Sequence, residues 1–140
     1  MRFMITRKAD ADTEARKAPS HELAAAMMAY NEEMAKAGVL LGGDGLRPTA
    51  DGFRVKFEGG KPTVIDGPFT EAKELVAGYT LIQVNSREEA LEWARRWPAE
   101  DADGQAYLEV RQLYEVEDFG EEVFTPDLVE TYERHRVRTA

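Results

Sequence analysis

Val76-Ala77-Gly78-Tyr79-Thr80-Leu81-Ile82-Gln83-Val84 is the stretch on which the fold turns. Its β-branched and aromatic content marks it as a strand. Alternate side chains of a strand point to opposite faces. One face therefore carries Thr80, Ile82 and Val84, and the other carries Tyr79, Leu81 and Gln83. Apolar side chains on both faces require cover on both. Helices of the same chain can supply one cover. A chain of 140 residues has little left for the second, and the economical source is another copy, packed sheet on sheet. The competing cover is a helix at the C-terminus.

Reading outward from that strand, Ser86-Arg87-Glu88-Glu89 is a capping box. The helix it opens turns Ala90, Leu91, Ala94 and Trp97 inward and stops at Pro98. A polar loop over 99–105 leads to a last strand, 106–116, whose apolar parity slips between Val110 and Leu113. That slip predicts a bulge or a strand end. Upstream, residues 53–58 alternate strictly, and Gly59-Gly60 turns them into a returning strand over 61–65. Gly42-Gly43-Asp44-Gly45 reads as a flexible turn. Before it, Ser20 caps a helix whose stripe is Leu23, Met27, Tyr30 and Met34. Residues 7–19 read as a loop and residues 2–6 as the first strand. Thr125-Pro126-Asp127 begins a tail helix reaching about Arg136.

The order is strand, helix, hairpin, strand, helix, strand, tail helix. Two helical crossovers around a hairpin predict an α+β, ferredoxin-like layer, with both helices on one sheet face. The domain body spans 1–120 and the tail 121–140. The N-terminal apolar window is too short for a signal peptide or a membrane span, so the expectation is a cytoplasmic protein without membrane insertion. A net charge of −9 argues against nucleic acid. The one basic cluster, Arg134, His135, Arg136 and Arg138, suits a helix C-terminus. With no cysteine, disulfides, thiolate metal sites and a cysteine nucleophile are excluded. No histidine or carboxylate spacing matches a metal site, and no cofactor motif is present, so neither metal nor cofactor is expected.

Asp66-Gly67-Pro68-Phe69 is followed by Thr70-Glu71-Ala72-Lys73-Glu74, Gly78-Tyr79, then Ala90, Trp93 and Ala94, then Glu109-Val110-Arg111. Gly38-Val39-Leu40 and Gly45-Leu46 upstream, and Glu115 to Gly120 with Thr125 to Leu128 downstream, continue the pattern. Over essentially its whole length the chain resembles the DGPF branch of the YCII-related domain family. That resemblance implies a ferredoxin-like fold of the dimeric α+β barrel group. It also implies a genomic association with extracytoplasmic-function sigma factors, hence a regulatory context, and in the YCII-type branch a histidine–aspartate pair in a cleft.

Three residues are the candidates for proton transfer. Asp66 sits on a stiff Gly-Pro turn; its carboxylate suits either an Asx-turn to the backbone two residues on or a pocket. Glu71 shares a side with Glu74 and is the candidate acid/base partner of Asp66. His21, in the first helical turn, titrates near neutrality. Arg54, Tyr79 and Arg111 lie on strands and are the candidate ligand-binding residues for an anion. Two functions follow. One is a small-molecule enzyme with a carboxylate acid/base site beside the sheet. The other is a non-catalytic ligand-binding or regulatory homodimer linked to a sigma-factor system.

Overall fold

The computed structural model describes residues 1–136; Arg138 of the basic cluster lies outside them. Six strands and four helices follow the chain: β1 Arg2–Lys8, α1 Ala11–Glu14, α2 His21–Lys36, β2 Leu40–Gly45, β3 Phe53–Glu58, β4 Lys61–Asp66, β5 Val76–Gln83, α3 Arg87–Arg95, β6 Leu108–Gln112 and α4 Pro126–His135. The main sheet runs β2-β5-β1-β6, with every neighbouring pair antiparallel. Sequence neighbours are therefore not sheet neighbours, and the order is the ferredoxin-like one.

One face of this sheet makes the core. Phe3 and Ile5 of β1 lie beside Ile82 and Thr80 of β5, and Val84 follows at the strand end. Tyr30 and Met34 of α2 and Ala90, Trp93 and Ala94 of α3 close over them. The Tyr30 hydroxyl donates to the Trp93 carbonyl at 2.6 Å. Burial of the phenol, moderated by the charge of Arg96, pushes its pKa up to about 12. The opposite face, with Met4, Thr6, Tyr79 and Leu81, is only half-buried. The tail helix does not roof it. Instead α4 is held at the end of β1, where Arg2 pairs with Glu115 at 2.8 Å and reaches the Tyr132 hydroxyl.

Several expectations need correction. Residues 7–19 are not all loop: β1 continues to Lys8, and α1 follows. Asp10 and Thr13 make a reciprocal capping box that fixes this short helix. Gly42-Gly43-Asp44-Gly45 is not a turn but most of β2, registered on β5. A Cβ at Gly43 would stand 2.5 Å from the Tyr79 carbonyl oxygen, so this pairing admits no side chain there. The hairpin β3–β4 forms a separate two-stranded sheet and adds nothing to the main one. Leu91 is exposed, whereas Trp93 is buried. The parity slip before Leu113 marks the end of β6 at Gln112.

Candidate functional site

Glycine decides where the chain opens. At the end of β2 and the start of β5, Gly43, Gly45 and Gly78 leave the helix-side wall without side chains. Between this wall, α2 and the 3-10 segment Asp101–Gly104 lies a cleft of about 1100 Å³. Leu23, Met27, Met28, Leu40 and Leu46 supply apolar lining. Its volume exceeds that of ordinary ligand sites, and its lining matches their mixed character.

At one end of the cleft lies a buried ion cluster. Arg7 Nε and Nη2 donate to the two carboxylate oxygens of Asp101 at 2.9 and 2.8 Å. Arg7 Nη1 reaches Asp10 at 3.0 Å and donates to the Lys8 carbonyl at 2.6 Å. Trp97 Nε1 donates to Asp101 at 2.9 Å. Burial works to raise the Asp101 pKa. The hydrogen bonds from Arg7 and Trp97, with the Arg7 charge, outweigh it and hold the carboxyl below its ordinary range. Asp101 is thus a fixed anion engaged by three donors. The cluster ties β1, the α1 cap and the chain after α3 together, and it does not offer a proton acceptor.

Asp44 differs. It stands between two glycines on the edge strand β2, exposed at the rim of the cleft, and its register opposite Tyr79 gives its side chain the parity of the open face. Among the described residues its side chain enters no ion pair or hydrogen bond. No group of three or more His, Cys, Asp or Glu side chains among the described residues is placed to hold a metal.

The predicted candidates do not converge. Asp66 ends β4 at the hairpin root, opposite Phe53, and is exposed. Among the described residues its carboxylate accepts no hydrogen bond, so no Asx-turn forms. The residue two positions on is Pro68, which has no N–H. The Phe69 N–H donates instead to Thr49 Oγ1 at 3.0 Å. Glu71 faces Glu74, not Asp66. The hydrogen bond and repulsion between those two carboxyls raise the Glu71 pKa, and the Arg54 charge opposes the rise. His21 is exposed at the start of α2, beside Ser20, which lines the cleft while His21 does not. Arg54 is on the hairpin with its guanidinium 3.7 Å from the Phe69 ring centroid. Arg111 is exposed opposite Met4, on the open face. Of the six, Tyr79 alone lies on a cleft-lining stretch, and its strand parity is that of Leu81, facing away from the helices.

The Asp66–Phe69 turn has a structural task. Its Gly67-Pro68 peptide is cis. Gly67 N–H donates to the Gly52 carbonyl at 3.0 Å, and Thr49, which receives Phe69, is itself held by Glu14 through its N–H and hydroxyl. A Cβ at Gly67 would overlap the Thr49 carbonyl. Gly67→Ala is therefore expected to destabilise the fold by about 1–3 kcal/mol through overpacking at the hairpin root. Urea denaturation checks this, and an unchanged midpoint would refute it.

The family model of the YCII-related domain matches residues 1–117. The chain belongs to the YCII-related domain family. A match to an uncharacterised protein of Rhizobium meliloti (strain 1021) is 42% identical over 50 residues, covering 36% of this chain and 40% of that protein. Among solved structures, 5-chloro-2-hydroxyhydroquinone dehydrochlorinase of Burkholderia phenoliruptrix AC1100, in complex with 2,5-dihydroxybenzoquinone, aligns at 17% identity. That alignment has a TM-score of 0.47 and covers 86% of this chain and 100% of the other. No helix of the described residues is long and apolar enough to cross a membrane. In this member of the family the wall of the cleft is glycine, which sequence reasoning took for a turn; the sign of a strand was the apolar Val39-Leu40-Leu41 lead-in.

Proposed function

We propose that this YCII-related protein is a small-molecule enzyme that binds its substrate in the cleft and uses Asp44, on the edge strand at the cleft's rim, to accept a proton from it. The cleft itself carries the reading, because it joins an apolar wall to carboxylates, Asp44, Glu100 and Asp103, that no cation or cap engages among the described residues. Around it Asp10, Asp12, Asp44, Glu100, Asp101 and Asp103 outnumber Arg7, Arg16 and Lys17. The surplus of carboxylates disfavours an anionic ligand and favours a compact apolar molecule bearing a hydroxyl or an amine. In this reading the working unit is a homodimer with open sheet faces together.

Thermal shift with phenols, aryl amines and benzoates as probes tests the reading. A ligand that binds only the native state raises its stability by RT ln(1 + [L]/Kd), about 2.7 kcal/mol at a hundredfold excess over Kd. Phenols or amines are expected to raise the Tm and benzoates to leave it unchanged. Ala24→Phe, at an exposed cleft-lining position of α2, should abolish the shift without changing the unliganded Tm. Shifts by benzoates alone, or shifts that persist in Ala24→Phe, would reject the cleft as the site described.

A further inference from the structure

Apart from aromatic side chains, the buried polar residues among those described are Arg7, Asp101 and Thr80. Arg7 and Asp101 hold each other. Thr80, only 5% exposed, is different. Among the described residues its hydroxyl enters no hydrogen bond. No wholly enclosed side-chain polar atom among those residues goes without a partner. The Thr80 oxygen therefore keeps an opening, and the space that Thr80 borders is the cleft. On β5 it stands opposite Ile5 of β1 and Gly43 of β2, with the parity of Ile82, which faces the helices. Its Oγ1 lies 3.4 Å from where a Cβ at Gly43 would stand, so the bare glycine leaves that side of Thr80 uncovered. Valine suits a strand as well and has nearly the same shape, without the cost of burying a hydroxyl that lacks a bond. A buried hydroxyl kept without an internal partner calls for an external one.

We infer that Thr80 is the recognition group at the floor of the cleft, and that it receives a neutral carbonyl oxygen at the inner end of the ligand. Asn31 of α2 borders the same space, half-buried, and among the described residues its amide also enters no hydrogen bond. On its helix it follows the cleft residue Met27 and precedes the fully buried Met34, so it stands where the cleft gives way to the core. A hydroxyl and a carboxamide can both donate to a carbonyl oxygen, and neither carries charge. Arg7 is the next residue of that face, opposite Gly78. Its guanidinium is committed to Asp101, Asp10 and the Lys8 carbonyl, so it offers nothing to a carboxylate. Whatever displaces solvent from the Thr80 hydroxyl has to replace its hydrogen bond or lose affinity. This assignment rests on the cleft being the ligand site and does not need Asp44, at the rim, to take a proton.

The probes are para-hydroxyacetophenone and para-isopropylphenol, which have a similar outline and differ by a carbonyl oxygen against a methyl group. Isothermal titration calorimetry gives Kd for each with wild type, Thr80→Val and Thr80→Ser. Wild type should prefer the ketone. Thr80→Val should move the ratio of the two Kd values about tenfold toward the hydrocarbon, the usual scale for a hydrogen-bonding group left unserved. Thr80→Ser should keep the wild-type preference. Without ligand, Thr80→Val should melt at or above the wild-type temperature, because the hydroxyl has no bond inside the chain to lose. A Tm lower by more than about 3 °C would reveal a structural role and overturn the assignment. A ratio unchanged in Thr80→Val, or no preference in wild type, would also overturn it. If Ala24→Phe still abolishes binding of both probes in that case, the cleft reading stands. Binding of neither probe to wild type, or binding that survives Ala24→Phe, overturns the cleft reading and the Thr80 assignment together.

Discussion

Asp101→Ala is expected to lower the free energy of unfolding by about 3–5 kcal/mol, the usual cost of stripping one partner from a buried pair. Arg7 and Asp101 are 8% and 7% exposed, and the carboxylate takes two bonds from Arg7 and one from Trp97. Without it, the guanidinium stays out of water with only Asp10 and the Lys8 carbonyl as partners. The penalty is the uncompensated charge, so Arg7→Met with Asp101→Leu should cost less than Asp101→Ala alone. Urea unfolding at pH 7 of both variants measures this; a double variant as damaged as the single would contradict it. The pH dependence has a definite sign. The folded Asp101 pKa lies below the unfolded value of 3.8. Its contribution is then fully present above about pH 4 and is lost as pH falls through the folded value. The gap between wild type and Asp101→Ala should accordingly narrow in acid. Asp10 and Glu115, also held below their ordinary values despite some burial, add to the acid limb through Arg7 with Thr13 and through Arg2.

That cluster shows where sequence reading stops. The helices α2 and α3 were legible because their caps, Ser20 and Ser86, and their apolar spacing are local signals. The strand Val76–Gln83 was legible by alternation, and its two apolar faces predicted a second face in need of cover. Residues 7 and 101 are 94 positions apart. Nothing local in Glu100-Asp101-Ala102-Asp103 distinguishes the buried carboxylate from the exposed ones beside it. The glycines of β2 misled for a related reason. Propensity treats glycine as a turn former, but at Gly43 the close approach of β5 demands it. The Asp66–Phe69 turn drew the candidate site to itself because it is the most diagnostic motif. Its contacts to Gly52 and Thr49 show that it fastens the hairpin β3–β4. Asp66, Glu71 and His21 therefore do not assemble a site, while Asp44 borders the cleft from the edge strand.

For a phenol or amine that binds the cleft and is consumed, Asp44→Asn should reduce kcat by about 10²–10⁴-fold, the usual worth of a positioned proton acceptor. The substitution is nearly isosteric and removes only the capacity to take a proton. Binding, read as the ligand-induced rise in Tm, should therefore survive, and the loss should fall on kcat rather than on KM. The backbone gives the prediction its edge. Asp44 is carried by a strand registered on β5 through Gly45, so its Cα is fixed by ladder bonds and not by a mobile loop. Asp66→Asn is the matched control, a carboxylate removed at the hairpin root and away from the cleft lining. It should leave kcat unchanged. If Asp44→Asn keeps the wild-type rate, the proton acceptor is elsewhere. If ligands bind and none is consumed by wild-type protein, the cleft serves a sensing dimer, and Asp44 is then a recognition group whose loss should appear in Kd alone.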